Sequence, residues 1–98
     1  MYRLSRLAAD DFASIFEYTL VEFGPRQADA YTDDLEKTLK LLASSLLISH
    51  ECPEVAAGVH RHDHHRHAIF YRYRGEDIFV IRILHQQMEL ANHVFDVE

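Results

Sequence analysis

The densest group of chemically active side chains in this sequence is a run of histidines, which reads His60-Arg61-His62-Asp63-His64-His65-Arg66-His67. If the run is extended, His60, His62 and His64 share one face of a strand, because successive side chains alternate. Imidazoles at that spacing can bind zinc, nickel or copper. A metal site also needs converging ligands and a supporting second shell of hydrogen bonds. The sequence shows neither, so we expect a solvated polar loop with no metal and no cofactor.

A second candidate is the pair Arg82 and His85, near the end of the last apolar segment. Arg82 can hold a phosphate and His85 can exchange a proton, which is the chemistry of general acid–base cleavage of RNA. The neighbouring residues 71–74 alternate tyrosine with arginine, and this is the ordinary pattern of a strand with two different faces. The plain strand is the stronger interpretation, and we predict a protein that is not an enzyme.

Nucleophilic catalysis finds little support. The single cysteine, Cys52, precedes Pro53 in a predicted loop, and no serine lies in a glycine-flanked elbow. One cysteine permits neither an intramolecular disulfide nor an all-cysteine zinc site, which suits a reducing compartment. Since we also find no leader-like segment and no long apolar run, we expect a cytoplasmic protein without a membrane span.

Length and charge narrow the class of protein further. The chain has 98 residues, which we interpret as one domain over 1–98, with a stability margin that a bound partner could widen. Its 10 Lys and Arg against 16 Asp and Glu give a net charge of −6, which argues against a protein that simply coats nucleic acid. The acidic residues concentrate on the predicted helices and the arginines in the strand half, so we predict that the sheet side is the basic face.

The apolar pattern predicts the elements that position these residues. A short strand over 2–5 precedes two helices, the first from Ala8 with Asp10 and Asp11 in its amino-terminal turn, and the second from Pro25. Residues 49–58 are predicted as a loop, and Gly75-Glu76 as a tight turn between strands. The later strands are predicted at Val59–His62, His67–Arg74 and Asp77–Leu84. The order β-α-α-β-β-β predicts an α+β fold, with a helical hairpin packed on one face of a small, largely antiparallel sheet.

Four segments of the chain also combine into a recognisable pattern. They are Tyr2-Arg3-Leu4-Ser5 with Ala8 and Ala9; Ile15, Tyr18 and Phe23-Gly24-Pro25 with Gln27, Ala28 and Tyr31; Gly58-Val59 with His67-Ala68-Ile69-Phe70-Tyr71-Arg72; and Ile81-Arg82-Ile83-Leu84-His85 with Met88. Together they resemble the ParE branch of the RelE/ParE toxins of bacterial type II toxin–antitoxin modules. The resemblance spans nearly the whole chain.

The resemblance implies a toxin that acts on DNA gyrase, stalls that enzyme on cleaved DNA and blocks replication. It also implies a ParD-like ribbon-helix-helix antitoxin that occludes the toxin in a hetero-oligomer. For the face that contacts the target, we predict the basic side of the sheet, with Arg61, Arg72, Arg82 and His85.

The second helix has more leucines than one helical stripe needs, so part of its apolar surface could receive a partner. We predict that the antitoxin lays an extended or helical segment along the helical hairpin and the sheet edge. The residues predicted to contact it are Tyr31, Leu39, Leu42 and Leu46.

Two alternatives stay open. The ribonuclease branch of the same fold cuts mRNA on the ribosome with basic residues and a tyrosine or histidine near the carboxyl terminus. In that case Arg82 would hold the scissile phosphate and His85 would transfer a proton. The tail from Glu89 to Glu98 has no tyrosine, lysine or arginine, which weakens this alternative. The other alternative is a non-toxic relative that only keeps a tight partner.

Overall fold

A computed structural model describes residues 1–44, 50–51 and 57–86 of the chain. The predicted α+β order is confirmed, with one additional short strand inside the segment predicted as a loop. Of the residues named above, Leu46, Cys52, Pro53, Met88 and the tail from Glu89 lie outside the described residues. The elements are β1 Tyr2–Leu4, α1 Arg6–Phe23, α2 Pro25–Ser44, β2 His50–Glu51, β3 His60–His64, β4 His67–Arg74 and β5 Asp77–His85.

The strands form one mixed sheet in the order β1-β5-β4-β3-β2. Strand β1 runs parallel to β5, and the other neighbouring pairs are antiparallel. Between β4 and β5 the register shifts, because Phe70 lies opposite Arg82 while Tyr71 lies opposite Val80. Ile81 therefore has no opposite residue, as in a β-bulge, which locally re-aims the side chains that follow it.

Helix α1 begins earlier than the sequence predicts, at Arg6. Ser5 is its N-cap: the Ser5 hydroxyl accepts a hydrogen bond from the Ala8 N–H at 2.9 Å and donates to the Ile81 carbonyl at 2.7 Å. One buried serine thus caps the helix and also ties it to β5. Because of this earlier start, Asp10 and Asp11 lie beyond the first turn, and the prediction that they serve its dipole is wrong.

The two helices meet at Gly24, as predicted. Its φ of 92° lies in the region that glycine adopts without a Cβ clash, and its N–H donates to the Leu20 carbonyl at 3.0 Å. Pro25 then starts α2, where its missing N–H costs no helical hydrogen bond. The chain consequently reverses within two residues, and both helices pack on the same side of the sheet.

The sheet has an apolar cluster on each face. The cluster shared with the helices contains Ala8, Ile15, Leu35, Leu39, Leu42, Ile69, Tyr71, Ile78, Val80 and Ile83. The cluster on the opposite face contains Val59, Ala68, Phe70, Phe79, Ile81 and Leu84. Alternating residues of β4 and β5 enter different clusters, so both strands are buried on both sides.

Candidate functional site

The histidine run forms β3, the β3–β4 turn and the start of β4, and the structure brings part of it against α2. Tyr31 of α2 is at the centre of this contact. Its hydroxyl and the Nδ1 atom of His67 share a hydrogen bond of 2.6 Å. Its ring makes edge contacts with His64 and His67, with centroids 5.7 and 5.6 Å apart. The ring of His67 also contacts that of His85, at 5.5 Å. A tyrosine of the second helix therefore links both strands of the hairpin.

One and two turns further along α2, Asp34 and Thr38 face the same hairpin. The Nε2 atoms of His64 and His65 lie 3.4 and 3.3 Å from Oδ2 of Asp34. The Nδ1 atom of His64 lies 3.1 Å from the Thr38 hydroxyl. The His64 side chain is only 8% exposed, and its Nε2 atom is buried without a hydrogen bond of acceptable geometry. This contact therefore holds one buried imidazole between a hydroxyl and a carboxylate.

Burial sets the protonation of this group. The pKa of His67 is lowered to about 4, chiefly because burial disfavours the charged ring and secondarily because His85 and His64 lie close. Burial also lowers the pKa of His64, with His65 adding to the effect and Asp34 opposing it. The same desolvation raises the pKa of Tyr31 above its usual value. At neutral pH both imidazoles are therefore uncharged.

A groove of about 760 Å³ runs beside this cluster. Tyr18 and Phe23 of α1 lie on its wall and are 61% and 62% exposed, which is high for large apolar side chains. Asp33 and Asp34 add acidic groups to the same wall. Lys37 and Arg66 line the groove as well, so it combines exposed aromatic surface with charges of both signs, which can receive an apolar segment flanked by charged residues.

Arg82 does not lie in this groove. Its Nε and Nη2 atoms donate to the two carboxylate oxygens of Asp11 at 2.8 and 3.0 Å, and the Ile83 N–H donates to the same carboxylate at 3.0 Å. Both side chains are largely buried, at 17% and 15% exposed. These hydrogen bonds raise the pKa of Arg82 above its usual value. Asp11 thus holds the guanidinium and one edge N–H of β5, and Arg82 is not positioned to bind a phosphate.

Other arginines lie on the face of the sheet opposite the helices. The guanidinium of Arg61 lies 5.7 Å from the ring centroid of Phe70, and that of Arg74 lies 4.0 Å from that of Phe79. Arg72 lies between them by the alternation of β4 and is opposite Phe79 in the register. Arg61, Arg72 and Arg74 therefore form a row across β3 and β4, which we call the arginine row.

The structure separates the residues predicted to act together. Of the four predicted target contacts, Arg61 and Arg72 belong to the arginine row, Arg82 binds Asp11, and His85 contacts His67 on the helix side. Among the predicted antitoxin contacts, Tyr31 lines the groove. Leu39 and Leu42, by contrast, are fully buried core residues, because the α2 stripe packs on the sheet. They offer no surface to a partner.

The candidate metal ligands His60, His62 and His64 do not converge as a set. An extended strand spaces alternate residues too widely for all three to bind one ion. His60 instead stacks on Tyr71, with ring centroids 5.7 Å apart. Within the described ranges, the only group of three possible ligand atoms is that of Asp34, His64 and His65. The sequence does not indicate Asp34 and Thr38 as site residues, and it gives Asp11 a different role, because acidic and hydroxyl residues on one helix face are common to solvated helices.

Comparison with known proteins defines the class. The family model for the ParE toxin of the type II toxin–antitoxin system parDE matches residues 2–90. The toxin ParE1 of Caulobacter vibrioides is 33% identical over 93 residues, covering 95% of this chain and 96% of that protein. The toxin ParE1 of Mycobacterium tuberculosis is 32% identical over 94 residues, with the same coverage.

A solved structure described as a chromosomal ParDE toxin–antitoxin system from P. aeruginosa shares the fold. Its TM-score is 0.71 at 23% identity, over 86% of this chain and 92% of that one. The fold and the sequence matches together define a toxin component of a type II toxin–antitoxin system. The chain belongs to the ParE toxin family. Among the described residues, no helix is both long and apolar enough to cross a lipid bilayer.

Proposed function

We propose that this chain inhibits DNA gyrase without being an enzyme itself, and that a ParD-like antitoxin neutralises it. The family membership supports the toxin role. The observation that carries the choice of contact surface is the arginine row, because it concentrates positive charge on one face of a chain whose net charge is −6. Such a patch favours an acidic or DNA-bound target and speeds encounter with it.

The arginine row is suited to binding because two of its three guanidinium groups, those of Arg61 and Arg74, lie against aromatic rings. The aromatic rings of Phe70 and Phe79 support the guanidinium groups of Arg61 and Arg74, so less side-chain entropy is lost when a partner binds. The Nε atom of Arg61 also donates a hydrogen bond to Oδ1 of Asp63 at 2.8 Å, which restrains the guanidinium further. We therefore place the target contacts at Arg61, Arg72 and Arg74, rather than at Arg82 and His85.

The ribonuclease alternative loses support at Arg82. A phosphate clamp needs free guanidinium donors, but Asp11 already accepts hydrogen bonds from two nitrogens of this group. Freeing them would leave a largely buried carboxylate unpaired, which costs several kcal/mol. The ring of His85 packs against that of His67, with centroids 5.5 Å apart, on the helix side of the sheet.

The groove is the surface that we assign to the antitoxin. Its aromatic wall of Tyr18, Phe23 and Tyr31 favours a segment with apolar anchors. The charged residues that line it, Asp33, Asp34, Lys37 and Arg66, favour partner charges of both signs beside those anchors. Covering two exposed aromatic side chains would also stabilise a small domain by linkage. We propose a hetero-oligomer in which the antitoxin occupies this groove.

The target assignment is tested with purified chain, DNA gyrase and supercoiled plasmid. We expect linear DNA to accumulate, and we expect a variant with Arg61, Arg72 and Arg74 all changed to Gln to be at least about tenfold less potent, since each lost charge contact weakens binding. The matched control changes Arg3, Arg6 and Arg26, which are exposed on β1 and the helices. Equal loss in both variants would remove the arginine row from the proposal.

Induced expression of the chain in a bacterium separates the alternatives. Codon-dependent mRNA cuts that disappear in His85→Ala would replace gyrase inhibition with ribonuclease activity. Normal growth with folded protein, together with a tight partner, would indicate the non-toxic relative.

The antitoxin surface is tested by co-expression with a ParD-like antitoxin. Light scattering after size exclusion should show a hetero-oligomer, and Tyr18→Ala with Phe23→Ala should weaken it at least about tenfold if these rings are anchors. Val21→Ala is the matched control, because Val21 is 76% exposed on the same helix but does not line the groove. Unchanged assembly in the double variant would place the antitoxin elsewhere.

A further inference from the structure

The contact between α2 and the β3–β4 turn brings three ligand-type atoms together. They belong to Asp34, His64 and His65, and all lie within 4.8 Å of one another. The two distances from Asp34 Oδ2 to the imidazole Nε2 atoms are 3.3 and 3.4 Å. Zinc–nitrogen bonds of about 2.0–2.1 Å in a tetrahedron place neighbouring ligand atoms about 3.3–3.4 Å apart. Two edges of a zinc tetrahedron are therefore already present.

We propose that Asp34, His64 and His65 form a binding site for one divalent transition-metal ion, with zinc as the best fit. Two imidazoles and a carboxylate are the ligand types that zinc accepts. Three protein ligands leave a fourth position for water or for a group from a partner. This site does not depend on the target or the antitoxin proposed above.

The hydrogen bonds around His64 prepare it to be a ligand. The Thr38 hydroxyl donates to the Asp34 carbonyl at 3.2 Å, so it accepts from the N–H at Nδ1 of His64, at 3.1 Å. This hydrogen-bond arrangement assigns a proton to Nδ1, which leaves Nε2 with a lone pair. That atom is buried and has no hydrogen bond, yet it faces a carboxylate oxygen. Two facing lone pairs repel each other, whereas a cation between them satisfies both.

The backbone of His65 supplies a second argument. Among the described residues, His65 is the only one other than glycine with a positive φ, at 52°. Histidine occupies this region less readily than glycine, so the conformation indicates a local requirement. Here it places Nε2 of His65 3.3 Å from Asp34 and beside the ring of His64, whose centroid is 4.6 Å away. An ion at this point would fasten the turn to α2, at the edge of the groove.

The experiment uses the full chain without a polyhistidine tag and measures zinc binding by calorimetry, with cobalt absorption as a report of coordination number. We expect one tight site per chain, a four-coordinate cobalt spectrum and a higher melting temperature in zinc. Asp34→Asn and His65→Asn should each weaken the site more than about 100-fold. Asn tolerates a positive φ, so the second variant keeps the turn.

The controls separate this site from the general affinity of a histidine-rich surface. Asp33→Asn removes an adjacent exposed carboxylate, and His62→Asn removes a histidine of the same strand, so neither should change the tight site. Thr38→Val keeps the shape of the side chain but removes the acceptor for Nδ1, and should weaken binding about tenfold. Absence of a stoichiometric site, or equal losses in the controls and in the ligand variants, would overturn the proposal.

Discussion

The two faces of the sheet use the same residue types in different ways. On the helix-covered face, His64 and His67 contact residues of α2 that lie 26 and 36 positions away in the sequence. On the opposite face, Arg61 lies over Phe70, its direct partner in the strand register. Contacts on the arginine face therefore follow from strand pairing, whereas contacts on the helix face depend on how a separate element packs.

The contacts on the two faces also differ in how much they contribute to the free energy of unfolding. An exposed guanidinium over an aromatic ring contributes about 0.5–1 kcal/mol. Removing the hydrogen-bond partner of a polar group that is buried against a helix lowers the free energy of unfolding by about 1–3 kcal/mol, because the group cannot bond to water instead. Substitutions on the helix side should accordingly cost more stability than those in the arginine row, and the arginine row should affect binding more than folding.

The largest expected loss of stability is in the core of the helix face. Leu39→Ala should lower the free energy of unfolding by about 4 kcal/mol, because the residue is fully buried and its truncation leaves a cavity. Leu41→Ala, at a side chain that is 55% exposed on the same helix, should change it by less than about 0.5 kcal/mol. Urea denaturation measures both. A small effect at Leu39 would mean that this face is not the core.

The second largest effect is expected at Asp11, at the open edge of β5. Asp11→Ala removes the acceptor of both Arg82 nitrogens and of the Ile83 N–H, which leaves a largely buried charge unpaired. The free energy of unfolding should fall by about 3 kcal/mol. Asp10→Ala, at an exposed neighbour, is the matched control and should have little effect. Equal denaturation midpoints for the two variants would show that the ion pair contributes nothing.

The sequence predicts the fold well because its signals are local. Gly24-Pro25 marks the helix junction, Gly75-Glu76 marks the hairpin turn, and alternation places β4 at the residues observed. The start of α1 was misplaced because Ser5, its cap, was interpreted as part of the strand. The strand at His50–Glu51 was missed because two residues are too short for a periodic signal.

The site was predicted less completely because it depends on distant contacts. The sequence shows that histidines alternate, but not that Asp34 and Thr38 of α2 meet His64. The sequence also does not show that the guanidinium of Arg82 is paired, whereas Asp11, 71 residues away, accepts its hydrogen bonds. Leu39 and Leu42 were predicted as partner contacts because one apolar stripe looks the same whether it faces a core or a groove.

A smaller effect is expected at Tyr31, where the helix face borders the groove. Tyr31→Phe removes the hydrogen bond to Nδ1 of the half-buried His67, and should lower the free energy of unfolding by about 1 kcal/mol. Tyr18→Phe removes a hydroxyl from a side chain that is 61% exposed in the same groove and should not change stability. Thermal denaturation at neutral pH compares them, and equal melting temperatures would mean that the hydroxyl of Tyr31 is not a structural group.

The smallest effect is expected in the arginine row, at the pair Arg74 and Phe79. The guanidinium lies 4.0 Å from the ring centroid and Arg74 is exposed, so the attraction should contribute about 0.5 kcal/mol. Arg74→Gln, Phe79→Leu and the double variant form a cycle that removes the cavity effect of the phenylalanine change from the pair energy. A coupling energy above about 2 kcal/mol would mean that this pair stabilises the fold as much as the buried contacts of the helix face do. The contrast between the two faces would then be lost, because a strand-paired arginine would stabilise the fold as strongly as a helix-packed histidine.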